Sequence, residues 1–240
     1  MQNDVLRAGS LSRAVLVAFW VCCAVHLALG VAGAAPLDSV TKALLMPLLA
    51  AWVLARRGPR PLVAALLLSW GGDVALEVDG LFLPGMTLFA AAHVCYVTYF
   101  VREGALGALR RRPAVPVAYA ALWVVLILVL WPGLGDLRLP VAAYSLLLTA
   151  TAVTAAGHGR WIGAGGALFL LSDTLIAFEL AGLPRLPAHG FLIMATYLAG
   201  QYLLASGIVG RSRSQPLPPP RNPPARNERP GSLGEALGPV

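Results

Sequence analysis

The chain has 240 residues, of which 58% are hydrophobic and only 12% are charged, and its formal net charge is +7. A soluble domain of ordinary composition is about a quarter charged, so this chain has too few charges to cover a water-exposed surface. Its basic residues are scattered between apolar runs and form no single stripe, which excludes nucleic acid as the expected partner. The composition instead predicts that the chain is surrounded by lipid.

Eight apolar runs follow one another along the chain, most of them near the length of about 20 residues that a helix needs to cross a bilayer. Prolines lie near the junctions between runs, where helix breakers are expected. The sequence therefore predicts an all-α, polytopic membrane bundle of about eight transmembrane helices. The runs, of which the second is short, cover residues 14–35, 40–55, 61–78, 82–101, 114–131, 139–157, 161–181 and 188–209.

The distribution of basic residues predicts the orientation of this bundle. Arginines are frequent before the first run, in the second, fourth and sixth loops, and in the tail. The alternate loops contain only Lys42, Arg138 and Arg185. The positive-inside rule then places both termini in the cytoplasm, in agreement with an even number of spans. We expect a multi-pass protein of the cell membrane.

The chain divides by composition into three parts. Residues 1–12 form a cytoplasmic segment, residues 13–209 the transmembrane domain, and residues 210–240 a Pro/Arg-rich tail that we expect to be disordered. An alternative for the first run is a signal peptide, because Ala32-Gly33-Ala34 resembles a cleavage site and its removal would leave seven spans. The run is longer than the usual signal core, which favours a retained helix.

The third and seventh runs resemble each other. Ala-Leu-Leu-Leu-Ser-Trp-Gly-Gly-Asp at 65–73 parallels Gly-Ala-Leu-Phe-Leu-Leu-Ser-Asp at 166–173. Each places a serine and an aspartate, Asp73 or Asp173, in an otherwise apolar helix. Four spans separate the two runs, so both helices are predicted to point from the cytoplasm to the exterior. The pattern suggests a parallel duplication of four helices each.

The two aspartates are predicted to lie at the same depth as a histidine. Asp73 and Asp173 each lie about twelve residues into their spans, which is roughly 18 Å at the rise of a helix and just past the midplane. His93 lies at a similar depth in the fourth span, which runs the opposite way. Ionisable residues at this depth are costly and usually mark function, so we expect a polar site inside the bundle.

Helical spacing adds further polar residues to this site. Four-residue spacing places Ser69 and Glu77 on the face of Asp73, and Tyr96 follows His93 by three residues. In the eighth span Gln201 follows Tyr197 by four residues, so these two also share a face. We expect these side chains to bind the polar part of a substrate. Lys42 either extends to the headgroups or binds a lipid phosphate.

Several other readings follow from the same residues. The polar cluster could hold helices together through hydrogen bonds alone, or it could belong to a proton-coupled transporter of small molecules or lipids. No HExxH or other metal-ligand spacing, no GxSxG elbow and no Gly-rich phosphate loop is present. We therefore expect neither a metal nor a cofactor, and an ordinary serine lipase is disfavoured. The oligomeric state cannot be inferred from the sequence.

The ordered series of these motifs is similar to a known family. Lys42-Ala-Leu-Leu-Met-Pro-Leu, Ser69-Trp-Gly-Gly-Asp73, Phe89 to His93 to Tyr96, Leu171-Ser172-Asp173, and Tyr197 to Gln201 follow one another. The series, over roughly residues 12–209, resembles the YhhN-like family of eight-span proteins, which includes animal lysoplasmalogenases. One departure is Ala43, where many members have proline.

The resemblance implies hydrolysis of the vinyl ether bond of a lysoplasmalogen, which would yield a fatty aldehyde and a glycerophospho-base. Such chemistry suits two carboxyl groups, one protonated as the acid and one ionised beside the cation or activating water. Burial and a nearby like charge both favour the protonated form of one member of such a pair. We expect Asp73 and Asp173 to be this pair, with His93 orienting one carboxylate or shuttling protons.

Overall fold

The computed structural model of the protein describes residues 2–214, and this part of the chain is helical throughout, without strands. Two short 3₁₀ turns join the sixth helix to the seventh. Residues 210–214, which were predicted to belong to a disordered tail, are the end of the last helix, and the rest of that tail lies outside the described residues. The helices are α1 (Gln2–Ala32), α2 (Ala35–Ala55), α3 (Arg60–Leu76), α4 (Phe82–Arg102), α5 (Ala105–Arg110), α6 (Ala114–Leu130), α7 (Arg138–Ala156), α8 (Arg160–Leu180) and α9 (His189–Ser214).

Eight of these helices coincide with the eight predicted apolar runs, and the short helix α5 is additional. Seven are long and apolar enough to cross a membrane. The remaining long helix, α3, has 17 residues, which corresponds to about 25 Å at 1.5 Å per residue. The all-helical class and the multi-pass membrane character are therefore confirmed, while the count of eight spans stays a prediction.

The long helices form a closed ring with one helix outside it. α1, α2, α3 and α4 pack in sequence, α4 packs on α7, α7 to α9 again pack in sequence, and α9 returns to α1. Helix α6 packs outside this ring against α7. Leu130 is the only buried residue of α6, and Leu128 is 69% exposed, so its apolar surface is suited to lipid contact.

Glycines allow α8 and α9 to approach each other closely. A Cβ atom on Gly200 would lie 2.9 Å from the backbone nitrogen of Phe169 and 3.0 Å from the carbonyl oxygen of Gly165. Small residues at such contacts are typical of membrane helices, because packing there replaces the hydrophobic effect as the driving force. The close approach of α8 and α9 helps to fix the site residues that the two helices carry.

The two ends of the bundle differ in their chemistry. One end of the bundle, which we call the acid end, is where α1, α3 and α8 end and where α2, α4, α7 and α9 begin. Polar contacts at this end join α1 to α2, α2 to α3, and α8 to α9. In the contact between α8 and α9, His189 Nε2 lies 3.1 Å from the carbonyl oxygen of Leu175. We call the opposite end, where α5 and α7 end and α6 and α8 begin, the arginine end.

Candidate active site

Asp73 lies in the last turn of α3, and its side chain is almost completely buried in the bundle. The hydroxyl of Tyr197 from α9 donates a hydrogen bond of 2.7 Å to Asp73 Oδ2. The neighbouring Gly72 allows α4 to pack closely, because a Cβ atom there would lie 2.5 Å from the ring of Phe89. Since a buried carboxylate requires hydrogen-bond donors, Tyr197 both holds Asp73 in place and partly compensates for its burial.

Asp173 is held by a different tyrosine. Tyr144 of α7 donates a hydrogen bond to Asp173 Oδ2, and the same hydroxyl oxygen lies 3.3 Å from His93 Nε2. His93 Nδ1 lies 3.1 Å from the hydroxyl oxygen of Thr151. Because Tyr144 donates its proton to the carboxylate, its hydroxyl oxygen can accept a hydrogen bond from His93 Nε2. The hydroxyl of Thr151, beside Nδ1, also donates to the carbonyl oxygen of Leu147 at 3.1 Å. His93 therefore reaches Asp173 only through Tyr144.

Both aspartates line one cavity of about 100 Å³ at the acid end, which we call the acid cavity. The apolar part of its wall includes Phe82, Met86, Phe89 and Ile176. The space is sufficient for several water molecules, and the polar groups around it can hold them. Its polar lining residues are Lys42, Asp73, Tyr144, Ser172, Asp173 and Tyr197.

An ion pair lies beside this cavity. Lys42, which lines the cavity, forms a salt bridge of 2.6 Å from its Nζ to Glu77 Oε1. The second oxygen of Glu77 accepts a 2.6 Å hydrogen bond from the hydroxyl of Ser39. The Lys42 side chain is 18% exposed, whereas that of Glu77 is 37% exposed. A largely buried cation is thus held at the cavity, and its partner carboxylate is accessible from outside.

Four residues that were predicted to bind substrate do not line the acid cavity: Glu77, which lies beside it, and the buried residues Ser69, Tyr96 and Gln201. The hydroxyl of Tyr96 donates to Gln201 Oε1 at 2.7 Å, and Gln201 Nε2 donates to the hydroxyl of Ser69 at 3.1 Å. All three side chains are buried. Ser69 lies one helical turn before Asp73, and Gln201 lies one turn after Tyr197, so this chain of hydrogen bonds joins α3, α4 and α9 next to the site.

Tyr144 and Thr151 are contacts of the site that the sequence reasoning did not identify. Both lie on α7, seven residues apart, which places them on one face of the helix. This spacing of two polar residues in an apolar run was the available signal. It did not stand out, because Ser145, Thr149 and Thr154 supply other polar positions in the same helix.

Two further polar residues, His26 and Ser172, have local hydrogen-bond partners on neighbouring helices. His26 forms a 2.7 Å contact with Asp38 and a 3.0 Å contact with the hydroxyl of Thr41, which joins α1 to α2 as a hydrogen-bonded packing residue. Ser172, which lines the cavity, donates to the backbone carbonyl of Ile193 at 3.0 Å. Among residues 2–214, no group of three or more histidine, cysteine or acidic side chains is arranged to hold a metal ion.

Comparison with known proteins agrees with the predicted resemblance. Residues 37–208 match the YhhN family. Lysoplasmalogenase TMEM86B of Homo sapiens is 36% identical over 159 residues, which are 64% of this chain and 66% of the human protein. Lysoplasmalogenase TMEM86B of Sus scrofa is 35% identical over 155 residues, which are 65% of this chain and 66% of the pig protein.

The matched segment spans just under two thirds of the length of these curated relatives. No solved structure matches the chain. The family match covers most of the helical bundle, including both aspartates and the tyrosines that bind them. The chain therefore belongs to the YhhN family.

Proposed function

We propose that the protein is a membrane-embedded, lysoplasmalogenase-like hydrolase that cleaves the vinyl ether bond of a lysoplasmalogen to a fatty aldehyde and a glycerophospho-base. The observation that carries this proposal is that Asp73 and Asp173, each bound by a tyrosine hydroxyl, line one small and mainly apolar cavity. Relatives that are 34–36% identical carry the name lysoplasmalogenase.

The first step is protonation of a carbon atom. One carboxyl group, in its protonated form, donates its proton to C2 of the alkenyl chain, and the positive charge develops on C1 and on the ether oxygen. The other carboxyl group, ionised, lies beside this cation and stabilises it, as a carboxylate does in a glycosidase. The low polarity of the cavity wall strengthens this attraction, since few other dipoles screen it.

Water then completes the reaction. The ionised carboxylate takes a proton from water as its oxygen adds to C1, which produces a hemiacetal. The hemiacetal returns its hydroxyl proton to the first carboxylate and expels the glycerol oxygen, which receives the proton that the second carboxyl group took from water. One water is consumed, the aldehyde and the alcohol are released, and both carboxyl groups regain their starting forms.

The tyrosines and His93 act as positioning residues in this scheme. Tyr197 and Tyr144 each hold one carboxyl group at the cavity, which fixes the geometry that proton transfer requires. His93 contacts Tyr144 and not a carboxylate, so it orients Asp173 indirectly. The contact from His93 to Tyr144 to Asp173 also offers a route by which protons can be exchanged.

Residues near the two aspartates can bind both the headgroup and the alkenyl chain of the substrate. Lys42 can bind the phosphate of the headgroup, and Glu77, which is accessible beside it, can bind the ammonium group of an ethanolamine or choline. Apolar side chains such as Phe82, Met86 and Ile176 suit the alkenyl chain, which would enter from the lipid between helices. Ser69, Tyr96 and Gln201 would support Asp73 and Tyr197 from the neighbouring turn.

We also propose the number of spans and the orientation of the bundle in the membrane. With α3 as an eighth span, both termini lie in the cytoplasm of a cell-membrane protein, as the arginine distribution predicts. α3 and α8, which carry the aspartates, would then run in the same direction in a parallel duplication of four helices each. The acid cavity would lie in the outer half of the bilayer.

The test is aldehyde release by the purified full chain from three related lipids. We expect aldehyde from lysoplasmenyl-ethanolamine and none from the saturated alkyl ether analogue, because a saturated chain cannot be protonated to the cation. The phosphate-free 1-alkenylglycerol should react with a raised KM, since it lacks the group that Lys42 binds. In D₂O, the aldehyde should carry one deuterium at C2.

Two results would contradict this function. Aldehyde formed without deuterium at C2 would exclude protonation of the double bond. Movement of the lipid between leaflets without any aldehyde, by a protein of unchanged melting temperature, would favour the proton-coupled transporter instead.

A further inference from the structure

A second cavity lies at the arginine end of the bundle, away from the acids. It has a volume of about 340 Å³ and is lined by residues of α5 and α9 and of the segments around the starts of α6 and α8. Three of its lining residues are arginines, Arg111, Arg112 and Arg211, and all three are exposed. Arg160, at the start of α8, lies 13 residues before Asp173, so this cavity is about 20 Å along the helix from the level of the acids.

The charged side chains that line this cavity are all basic, and the charge of Glu103 acts on the lining residue His158 from outside the lining. The described residues that line it include no aspartate or glutamate. Two helix N-termini add partial positive charge, because Gly159, the residue before α8, and Val115, in the first turn of α6, both line the cavity. No side chain caps the start of α8 or of α6. At the start of α8, the backbone N–H groups of the first turn are natural donors to an anion. In α6, the N–H of Val115 already donates to the carbonyl oxygen of Arg112 at 3.1 Å, and Pro116 has no N–H.

The end of α7 lies at the same place and does not cancel this charge. The carbonyl oxygens of Thr154 and Ala155 already accept hydrogen bonds of 3.1 Å and 3.0 Å from the backbone nitrogens of Gly157 and His158. His158 Nε2 lies 3.0 Å from the carbonyl oxygen of Phe100. Burial lowers the pKa of His158, and the charge of Arg211 acts in the same direction, whereas the hydrogen bond to Phe100 and the charge of Glu103 raise it. The positive charge of the cavity therefore comes from the arginines.

We propose that this cavity, the arginine cavity, binds the phosphate group of an anionic ligand. Guanidinium groups bind phosphate oxygens in pairs of parallel hydrogen bonds, and basic pockets between membrane helices bind anionic lipid headgroups. The phosphate belongs either to an anionic lipid or to a soluble phosphate. The site is separate from the acid cavity and does not depend on the proposed hydrolysis.

Scattered arginines alone would attract anionic lipid only diffusely, whereas three arginines gathered around one cavity predict a saturable site. Arg111 and Arg112 come from the loop after α5, and Arg211 comes from α9, so residues distant in sequence meet at one place. Diffuse attraction depends on the total charge of the face. A built site depends on which arginines are present.

The experiment compares two triple variants of equal net charge. Arg111→Gln/Arg112→Gln/Arg211→Gln removes the cavity arginines, and the matched control Arg57→Gln/Arg60→Gln/Arg102→Gln removes three exposed arginines that do not line the cavity. The full chain in neutral detergent is titrated calorimetrically with inorganic phosphate, with dihexanoyl-phosphatidylglycerol, and with zwitterionic dihexanoyl-phosphatidylcholine.

We expect saturable binding of phosphatidylglycerol or of inorganic phosphate to the wild type, stronger than that of phosphatidylcholine. The cavity triple variant should bind at least about tenfold more weakly, and the control triple within about threefold of the wild type. Binding of inorganic phosphate itself identifies a soluble ligand, whereas binding of phosphatidylglycerol only identifies a lipid headgroup.

The proposal is overturned if neither probe saturates on the wild type, or if the two triple variants lose affinity equally. Melting temperatures without ligand establish that the variants fold. If the cavity triple does not fold, the single variant Arg112→Gln is titrated instead, with an expected loss of about threefold.

Discussion

Tyr144 is the residue through which the buried histidine influences the acid pair. Its hydroxyl donates to Asp173 and contacts His93, so Tyr144→Phe removes both interactions while keeping the ring. We expect kcat to fall about 10- to 100-fold with little change in KM, because the variant loses an interaction that positions the reacting carboxyl group. The measurement is the rate of aldehyde release at several substrate concentrations.

The matched control for this prediction is Tyr119→Phe, which removes the hydroxyl of a half-buried tyrosine that does not line the acid cavity. Its kcat should equal that of the wild type. A Tyr144→Phe variant that is as active as the control would show that the hydrogen bond to Asp173 has no part in catalysis.

At the scale of single residues, the sequence predicted which side chains belong to the site better than it predicted their hydrogen-bond partners. Asp73 and Asp173 stand out because ionisable side chains are rare in apolar spans. Spacing along one helix predicts that Tyr96 shares a face with His93, but it cannot show which helix that face meets. Gln201 therefore joins Tyr96 in a separate hydrogen-bond chain, which depends on the packing of α9 against α4 and α3.

At the scale of helices, glycines determine how closely α8 and α9 approach each other. Gly200→Ala would place a methyl group against backbone atoms of Gly165 and Phe169, which cannot move without separating the helices. We expect a loss of about 1–3 kcal/mol in the free energy of unfolding, measured as a lower melting temperature in detergent. Gly190→Ala, in the same helix with nothing within 4 Å of its added Cβ, is the control. Equal melting temperatures for both variants would contradict the close packing.

The succession of long helices along the chain was the most predictable part of the fold, since apolar runs mark them. Their ends were less predictable, because α1 begins at Gln2 and not at residue 14, and α2 begins at Ala35 and not at residue 40. The short helix α5 was not predicted, because Ala105–Arg110 is only six residues long and lies in an arginine-rich loop. The order of the ring, with α6 outside and α4 against α7, could not be predicted either. Apolar periodicity is weak in helices that face lipid on one side and protein on the other.

At the scale of the whole molecule, the number of spans can be tested through the location of the termini. An eight-span chain has both termini on the same side, and a seven-span chain has them on opposite sides. Green fluorescent protein fused to either terminus in a bacterial host should fluoresce. Alkaline phosphatase inserted in the loop of residues 181–188 should be active. A fusion that fluoresces at one terminus and not at the other would contradict the inclusion of α3 as a span.

The ring of helices positions two acids from distant parts of the chain, since α3 and α8 reach one cavity only when the ring is closed by α4, α7 and α9. This arrangement keeps the acids away from bulk water while leaving space for the one water molecule that the proposed hydrolysis would consume. Catalysis by the acid pair is the central claim, and replacing each carboxyl group by its amide tests it most directly.

The measurement is aldehyde release from lysoplasmenyl-ethanolamine by the purified wild type, Asp73→Asn, Asp173→Asn and the control Asp79→Asn, which changes an exposed acid just beyond α3. We predict release by the wild type and by the control, and a loss of about 100-fold or more in each of the other two at an unchanged melting temperature. Turnover at the wild-type rate by either Asp73→Asn or Asp173→Asn would contradict the acid pair.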